Sequence, residues 1–227
     1  MGIRRAAVLA SATAGLLLVG CGSSTPAPER PERIDLSRLG EIAQAFPPDY
    51  PANAVSGVRE LDAQRAGGVG DFYSHGKPLE TDPEPCRTLL HPVLARAGEQ
   101  WAAVNHSAGP EGPFISVEAD DAIGVPIAIP ESGCEDFTFT ADRAFPGGTV
   151  EQLPAPALEA ATAYALEVHF DVTNPGSAEP PIVDYLYVAI LGGSTLVTVW
   201  ARVPTDFADQ PALPDLLTKA VAALRSD

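Results

Sequence analysis

The chain has 227 residues, of which 30 are acidic and 14 basic, giving a net charge of −16 with histidine neutral. Such a balance repels nucleic acid and anionic membrane faces, so neither is expected as a charge-driven partner. The length allows one substantial core, and no internal repeat breaks it into arrays.

In chain order, Arg4 and Arg5 come first, then Ala6 to Val19 without a charge, then Gly20-Cys21. A positive start, a short apolar run and a small residue before cysteine have the layout of a lipoprotein signal. As a helix the 14 apolar residues would reach roughly 21 Å, short of a hydrocarbon core of about 30 Å, so residues 1–20 are expected to be cleaved rather than to span. Cys21 then becomes the acylated first residue and the membrane attachment. Loss of Arg4 and Arg5 leaves 12 basic against 30 acidic residues, or −18, so the attachment has to rest on acyl chains rather than charge. Residues 22–33 hold Ser, Thr, Pro and charged residues with no large apolar side chain before the domain, which predicts an extended tether able to span about 35 Å. Residues 34–227 are expected to form one domain.

Within that domain a helix is predicted from Leu36 to about Ala45, with Asp35 as N-cap and Leu36, Leu39 and Ile42 inward. Strand candidates follow at Val55 to Leu61, Gln100 to His106, Phe114 to Ala119 and Phe137 to Thr140. Between the first two, Arg87 to Ala97 reads as a helix with Leu90, Val93, Leu94 and Ala97 on one side, although Pro92 lies inside it. From Tyr164 to Thr173 apolar and polar residues alternate, the pattern of a strand with one core face and one wet face. Asn174-Pro175-Gly176 and Pro180-Pro181 then punctuate the chain. Tyr185 to Leu191, apolar on both faces, reads as a central strand, turned by Gly192-Gly193 as a two-residue hairpin loop into Thr195 to Val203. Last comes a helix from Leu213 to Leu224, with Leu213, Leu216, Leu217, Ala220, Val221 and Leu224 in one stripe and Pro214 in its first turn. This order predicts an α+β fold: a mostly antiparallel curved sheet of about five to seven strands with about three helices packed around it.

With Cys21 assigned to lipid, Cys86 and Cys134 remain in an oxidising compartment, so a disulfide between them is expected, with two buried free thiols as the alternative. Neither has a CxxC or CxxH neighbour, which argues against a metal pair or a catalytic thiol. No nucleophile elbow, zinc-protease helix motif, phosphate-binding glycine loop or SxxK is present, and His75, His91, His106 and His169 are scattered. No enzymatic activity, metal or cofactor is therefore expected. Glu118, Asp120 and Asp121 lack the glycine and spacing of a calcium loop and read as a solvated acidic turn. Alternation puts Glu167, His169 and Asp171 on one strand face, where flanking carboxylates would hold the imidazole proton longer and could contact a polar ligand. Tyr185, Tyr187 and Trp200 are candidates to line an apolar cleft, with simple core as the plainer reading, and Trp101 is ambiguous in the same way. The candidate ligand-binding set is thus Glu167, His169, Asp171, Tyr185 and Trp200.

Several of these features together resemble a family. The lipoprotein signal, Pro47-Pro48 followed by Tyr50, the stretch Thr81-Asp82-Pro83-Glu84-Pro85-Cys86, Cys134 ahead of Phe137-Thr138-Phe139, and the Tyr187-Val188-Ala189 hairpin are similar to actinobacterial sensor-domain lipoproteins. Those in turn resemble the extracellular domain of the mycobacterial serine/threonine kinase PknH. The resemblance spans roughly Ile34 to Asp227 and implies a single α+β domain with a curved sheet, helices on one side and an open cleft for an unidentified ligand. One cysteine pair stands here where the kinase domain has two. The expected function is that of a lipid-anchored domain on the extracytoplasmic face of the cell membrane that binds a small molecule, a lipid or an envelope protein. The alternatives are a carrier of hydrophobic molecules and a cell-wall enzyme.

Overall fold

Leu36, Leu39 and Ile42 recur every third residue, and in the computed structural model they lie on a 3-10 helix, Leu36–Ala45, whose three-residue turn stacks all three on one buried face. Asp35 caps it, its carboxylate accepting from the Ser37 backbone N–H at 3.0 Å and the Ser37 hydroxyl at 2.6 Å. The structure describes residues 34–74, 78–109, 113–121, 125–126, 128–130, 132–141, 147–170, 182–204 and 212–225, all within one compact unit, Glu32–Asp227. The signal, Cys21, the tether, Asp171, the turn at 174–176 and Pro180-Pro181 lie outside the described residues.

After the 3-10 helix come β1 (Ala54–Glu60), the four-residue helix α1 (Ala63–Ala66), β2 (Glu80–Asp82) and α2 (Arg87–Leu90). Next are β3 (Val93–Leu94), β4 (Gln100–Ser107), β5 (Phe114–Asp121), β6 (Val125–Pro126), β7 (Asp136–Thr140) and β8 (Gly148–Leu153). The chain closes with β9 (Ala161–Phe170), β10 (Ile182–Leu191), β11 (Thr195–Pro204) and α3 (Ala212–Arg225). Nine strands form one sheet in the order β1-β4-β5-β11-β10-β9-β8-β7-β2, while β3 and β6 pair separately. Neighbouring strands are antiparallel throughout.

The α+β class with an antiparallel sheet stands, and the expected five to seven strands are corrected to nine. The additional members are β2, only three residues long, and β8, whose Gly-Thr-Val-Glu-Gln-Leu run carries Val150 as its single buried large apolar residue. Neither is long or apolar enough to show a period. A helix over Arg87 to Ala97 does not form. It ends at Leu90, because His91, ahead of Pro92, leaves the helical region at φ −149° and ψ 71°, and the chain then pairs as β3. Likewise the hairpin loop has three residues rather than two: Leu191 pairs with Thr195, and Gly192 and Gly193 both take positive φ while Ser194 N–H donates to the Leu191 carbonyl at 3.0 Å.

β10 lies between β11 and β9 and is covered on both faces, as its apolar run predicts. Val183, Tyr185, Tyr187, Ala189 and Leu191 face the 3-10 helix and α3, which inserts Leu213, Leu216, Leu217, Ala220, Val221 and Leu224. Leu186, Val188 and Ile190 face the other way and pack with Leu166, Val168 and the segment from Leu61 to Val93. That segment is fastened to the sheet by the Cys86–Cys134 disulfide, which the cysteine count anticipates, and by the Tyr164 hydroxyl donating to the Leu89 carbonyl at 2.9 Å. Among the described residues no helix is long and apolar enough to cross a membrane.

Candidate functional site

The ligand-binding set expected from the sequence does not converge. Glu167 lies directly across from Tyr185 and His169 from Val183, so these residues share the helix-side face. Trp200 packs with the opposite core, against Phe72 and Tyr73. Glu167 and His169 do meet, at 2.8 Å between Oε1 and Nε2, with the histidine side chain 47% exposed, and His169 borders a shallow groove with Thr149 and Glu151. Tyr185 is core beneath the helices, and burial, followed by the charge of Glu167, pushes its hydroxyl pKa up.

Trp200 belongs to a buried polar network. Asp184 and Arg202 are cross-strand partners, and the fully buried Asp184 carboxylate accepts Arg202 Nε and Nη2, both at 2.7 Å. It also accepts Trp200 Nε1 at 3.0 Å and the Tyr73 hydroxyl at 3.2 Å. Four donors on one carboxylate fix the indole in place. Its ring then borders a cleft of about 400 Å³ on the sheet face away from the 3-10 helix and α3.

β5 and β11 supply the floor of that cleft. Ser116, Glu118 and Asp120 alternate on one face of β5, beside Leu196, Thr198 and Trp200 of β11. The chain from Asp62 to Phe72 forms the opposite wall. Asp62 caps α1 by accepting Arg65 N–H at 2.8 Å, and Arg65 projects back over the sheet. Its guanidinium carbon stands 3.4 Å from the centre of the Trp101 ring, and its Nη2 donates to Glu118 Oε2 at 2.9 Å. Ser116 donates to Asn105 Oδ1 at 2.6 Å and to Glu118 Oε1 at 3.3 Å.

Asp120 is the anomaly of this floor. Only 4% of it is exposed, and its Oδ1 has no hydrogen-bond partner, nor has Arg65 Nε nearby. Burial first, and the neighbouring Glu118 charge second, lift its pKa to about 7 against the opposing pull of Arg65. The solvated acidic turn expected at 118–121 is therefore corrected: these residues lie in a strand, and Asp120 is inside. Alternation with Ile115, Val117 and Ala119 carried that signal, but three acids in four residues mimic a turn. Arg65 and Trp101 gave no sequence signal as a pair, since 36 residues separate them. Among the described residues no group of three or more His, Cys, Asp or Glu is placed to hold a metal ion.

Fold and cleft together define a class: an antiparallel α+β domain, with the Leu36–Ala45 helix and α3 on one face of the sheet and a charged, partly buried cleft walled by α1 on the other. The chain belongs to the family described as Domain of unknown function (DUF5642), whose model matches residues 35–225. It is similar in structure to an uncharacterised protein (Rv0999 ortholog) from Mycobacterium smegmatis, with a TM-score of 0.58, 17% identity, and coverage of 86% of this chain and 98% of that one. At that identity the likeness is one of fold. No match was found among curated proteins.

Proposed function

We propose that the chain is a lipid-anchored, extracytoplasmic binding domain of sensor type, and that its ligand enters the cleft between residues 62–72 and strands β5 and β11. One observation carries this reading. Buried polar atoms are nearly always paired, yet Asp120 Oδ1 and Arg65 Nε are both buried beside the cleft without partners. A ligand from outside would supply what the chain leaves open. The anchoring half rests on the Leu18 to Cys21 run, and the sensor comparison rests on the motifs that resemble those of actinobacterial sensor-domain lipoproteins, which in turn resemble the PknH extracellular domain. A carrier of hydrophobic molecules draws less support, because the face of Leu166, Val168, Leu186 and Val188 is filled by the chain's own Leu89, Leu90 and Val93.

Native mass spectrometry of the full chain in detergent, mixed with envelope extract, tests the binding half. A specific adduct is expected, and Ser116→Phe, which places a ring in the cleft, removes it; an adduct indifferent to that change would locate binding elsewhere. Fractionation tests the anchor. Cys21→Ala is expected to leave the chain uncleaved or released from membranes, and unchanged processing and fractionation would refute acylation at Cys21.

A further inference from the structure

Four carboxylates, Asp62, Asp71, Glu118 and Asp120, line the cleft together with a single cation, Arg65. Three of the four have work within the fold. Asp62 caps α1, Asp71 accepts from the Ser74 N–H at 2.8 Å and from the Ser74 hydroxyl, and Glu118 holds Arg65. Asp120 alone keeps a buried oxygen without a donor, with Trp101 opposite it on β4 and Leu196 opposite it on β11. An orphaned acceptor in the floor of an accessible cleft calls for a donor from solution.

The chain displays next door what kind of donor this surface takes. Arg65 lies flat on the Trp101 ring while bound to the Glu118 carboxylate, a guanidinium held by one anion and one aromatic face. One step along β5, Asp120 offers the second anion, and the fixed ring of Trp200 borders the same space. Two carboxylates are too few for a calcium cage of six to eight oxygens, whereas an ammonium or guanidinium group needs only one. The volume of about 400 Å³ suits a small molecule. We propose that the cleft binds a small organic cation, a primary amine or guanidinium, whose charged head donates to the Asp120 carboxylate. This rests on the binding reading above and names its ligand class.

The affinity depends on pH. The charged groups facing Asp120 are Glu118 on its own strand and Arg65 from α1, with Asp62 and Asp71 on the same wall of the cleft. Because Asp120 ionises at about 7, the cation meets a charged carboxylate at pH 8 and a protonated one at pH 6. Affinity therefore rises roughly tenfold across that interval, and binding near neutrality releases a proton.

Isothermal titration of the full chain in detergent with agmatine and with putrescine, using succinate as the anionic control, tests this. Saturable binding of agmatine or putrescine at pH 8 is expected, roughly tenfold weaker at pH 6, with none for succinate. Asp120→Asn, close in shape, is expected to weaken amine binding at least tenfold at pH 8 and to flatten the pH dependence. If that variant fails to fold, the wild-type pH profile still decides. Absence of saturable amine binding at pH 8, or binding that neither pH nor Asp120→Asn alters, overturns the assignment. An extract adduct that Ser116→Phe removes but whose mass belongs to a neutral or anionic molecule also overturns it, and leaves the binding reading standing.

Discussion

Two aspartates on the same face of the sheet have opposite consequences for stability. Asp184 is fully buried but accepts four hydrogen bonds, two of them from Arg202. Asp184→Ala would leave that guanidinium without its anion, and urea denaturation at pH 7 is expected to show a loss of about 3–5 kcal/mol. Asp120 has the reverse character. Its folded-state pKa of about 7 lies above the ordinary 3.8, so the folded form binds more protons between those values, and stability falls as pH rises through that window. The cost is absent below about pH 4 and complete above pH 7, and amounts to roughly 4 kcal/mol at most. Asp120→Asn, which stays neutral, is therefore expected to raise the melting temperature at pH 8 and change it little at pH 4.5; equal effects at both pH values would contradict the burial account. At this scale the sequence was least informative. Alternation placed Glu167 and His169 on one face correctly, yet nothing in it told which face α3 covers, so Tyr185, which shares that face but is buried beneath the helix, and Trp200, which lies on the other side of the sheet, were joined to the set.

Elements were legible where their period was long and unbroken. α3 buries the six residues that its stripe names, and the 36-39-42 spacing, read as a helix, suits a 3-10 turn better than an α turn. Leu217→Ala in α3 is expected to cost about 2–5 kcal/mol in denaturant titrations, since the side chain is fully buried, whereas the exposed Lys219→Ala is expected to stay within about 0.5 kcal/mol. Comparable losses would mean that α3 is not docked through that stripe. β8 was missed because its pairing depends on backbone fit more than on apolar side chains. At Gly148 an added Cβ would fall on the His169 carbonyl oxygen of β9, a contact visible only once the strands are paired. Pro92 illustrates the other limit: apolar spacing continued beyond it, but the restriction on the preceding residue ended the helix.

For the whole molecule, one sheet separates two cores of different construction. The core beneath α3 is closed by two longer helices, whereas the opposite one is covered by short elements and loops in residues 61–74 and 78–93, of which residues 62–72 also wall the cleft. The disulfide closes a loop across 48 positions between that cover and the start of β7, worth roughly 4 kcal/mol in the chain-entropy picture. Replacing both cysteines by alanine is expected to lower stability by about 2–4 kcal/mol. The most direct test of a ligand site in this cleft is hydrogen–deuterium exchange on the full chain, with and without the bound envelope component. Protection is predicted in residues 62–72, 114–121 and 195–201 together. Protection confined to the Thr149 and His169 groove, with the cleft segments unchanged, would contradict the account.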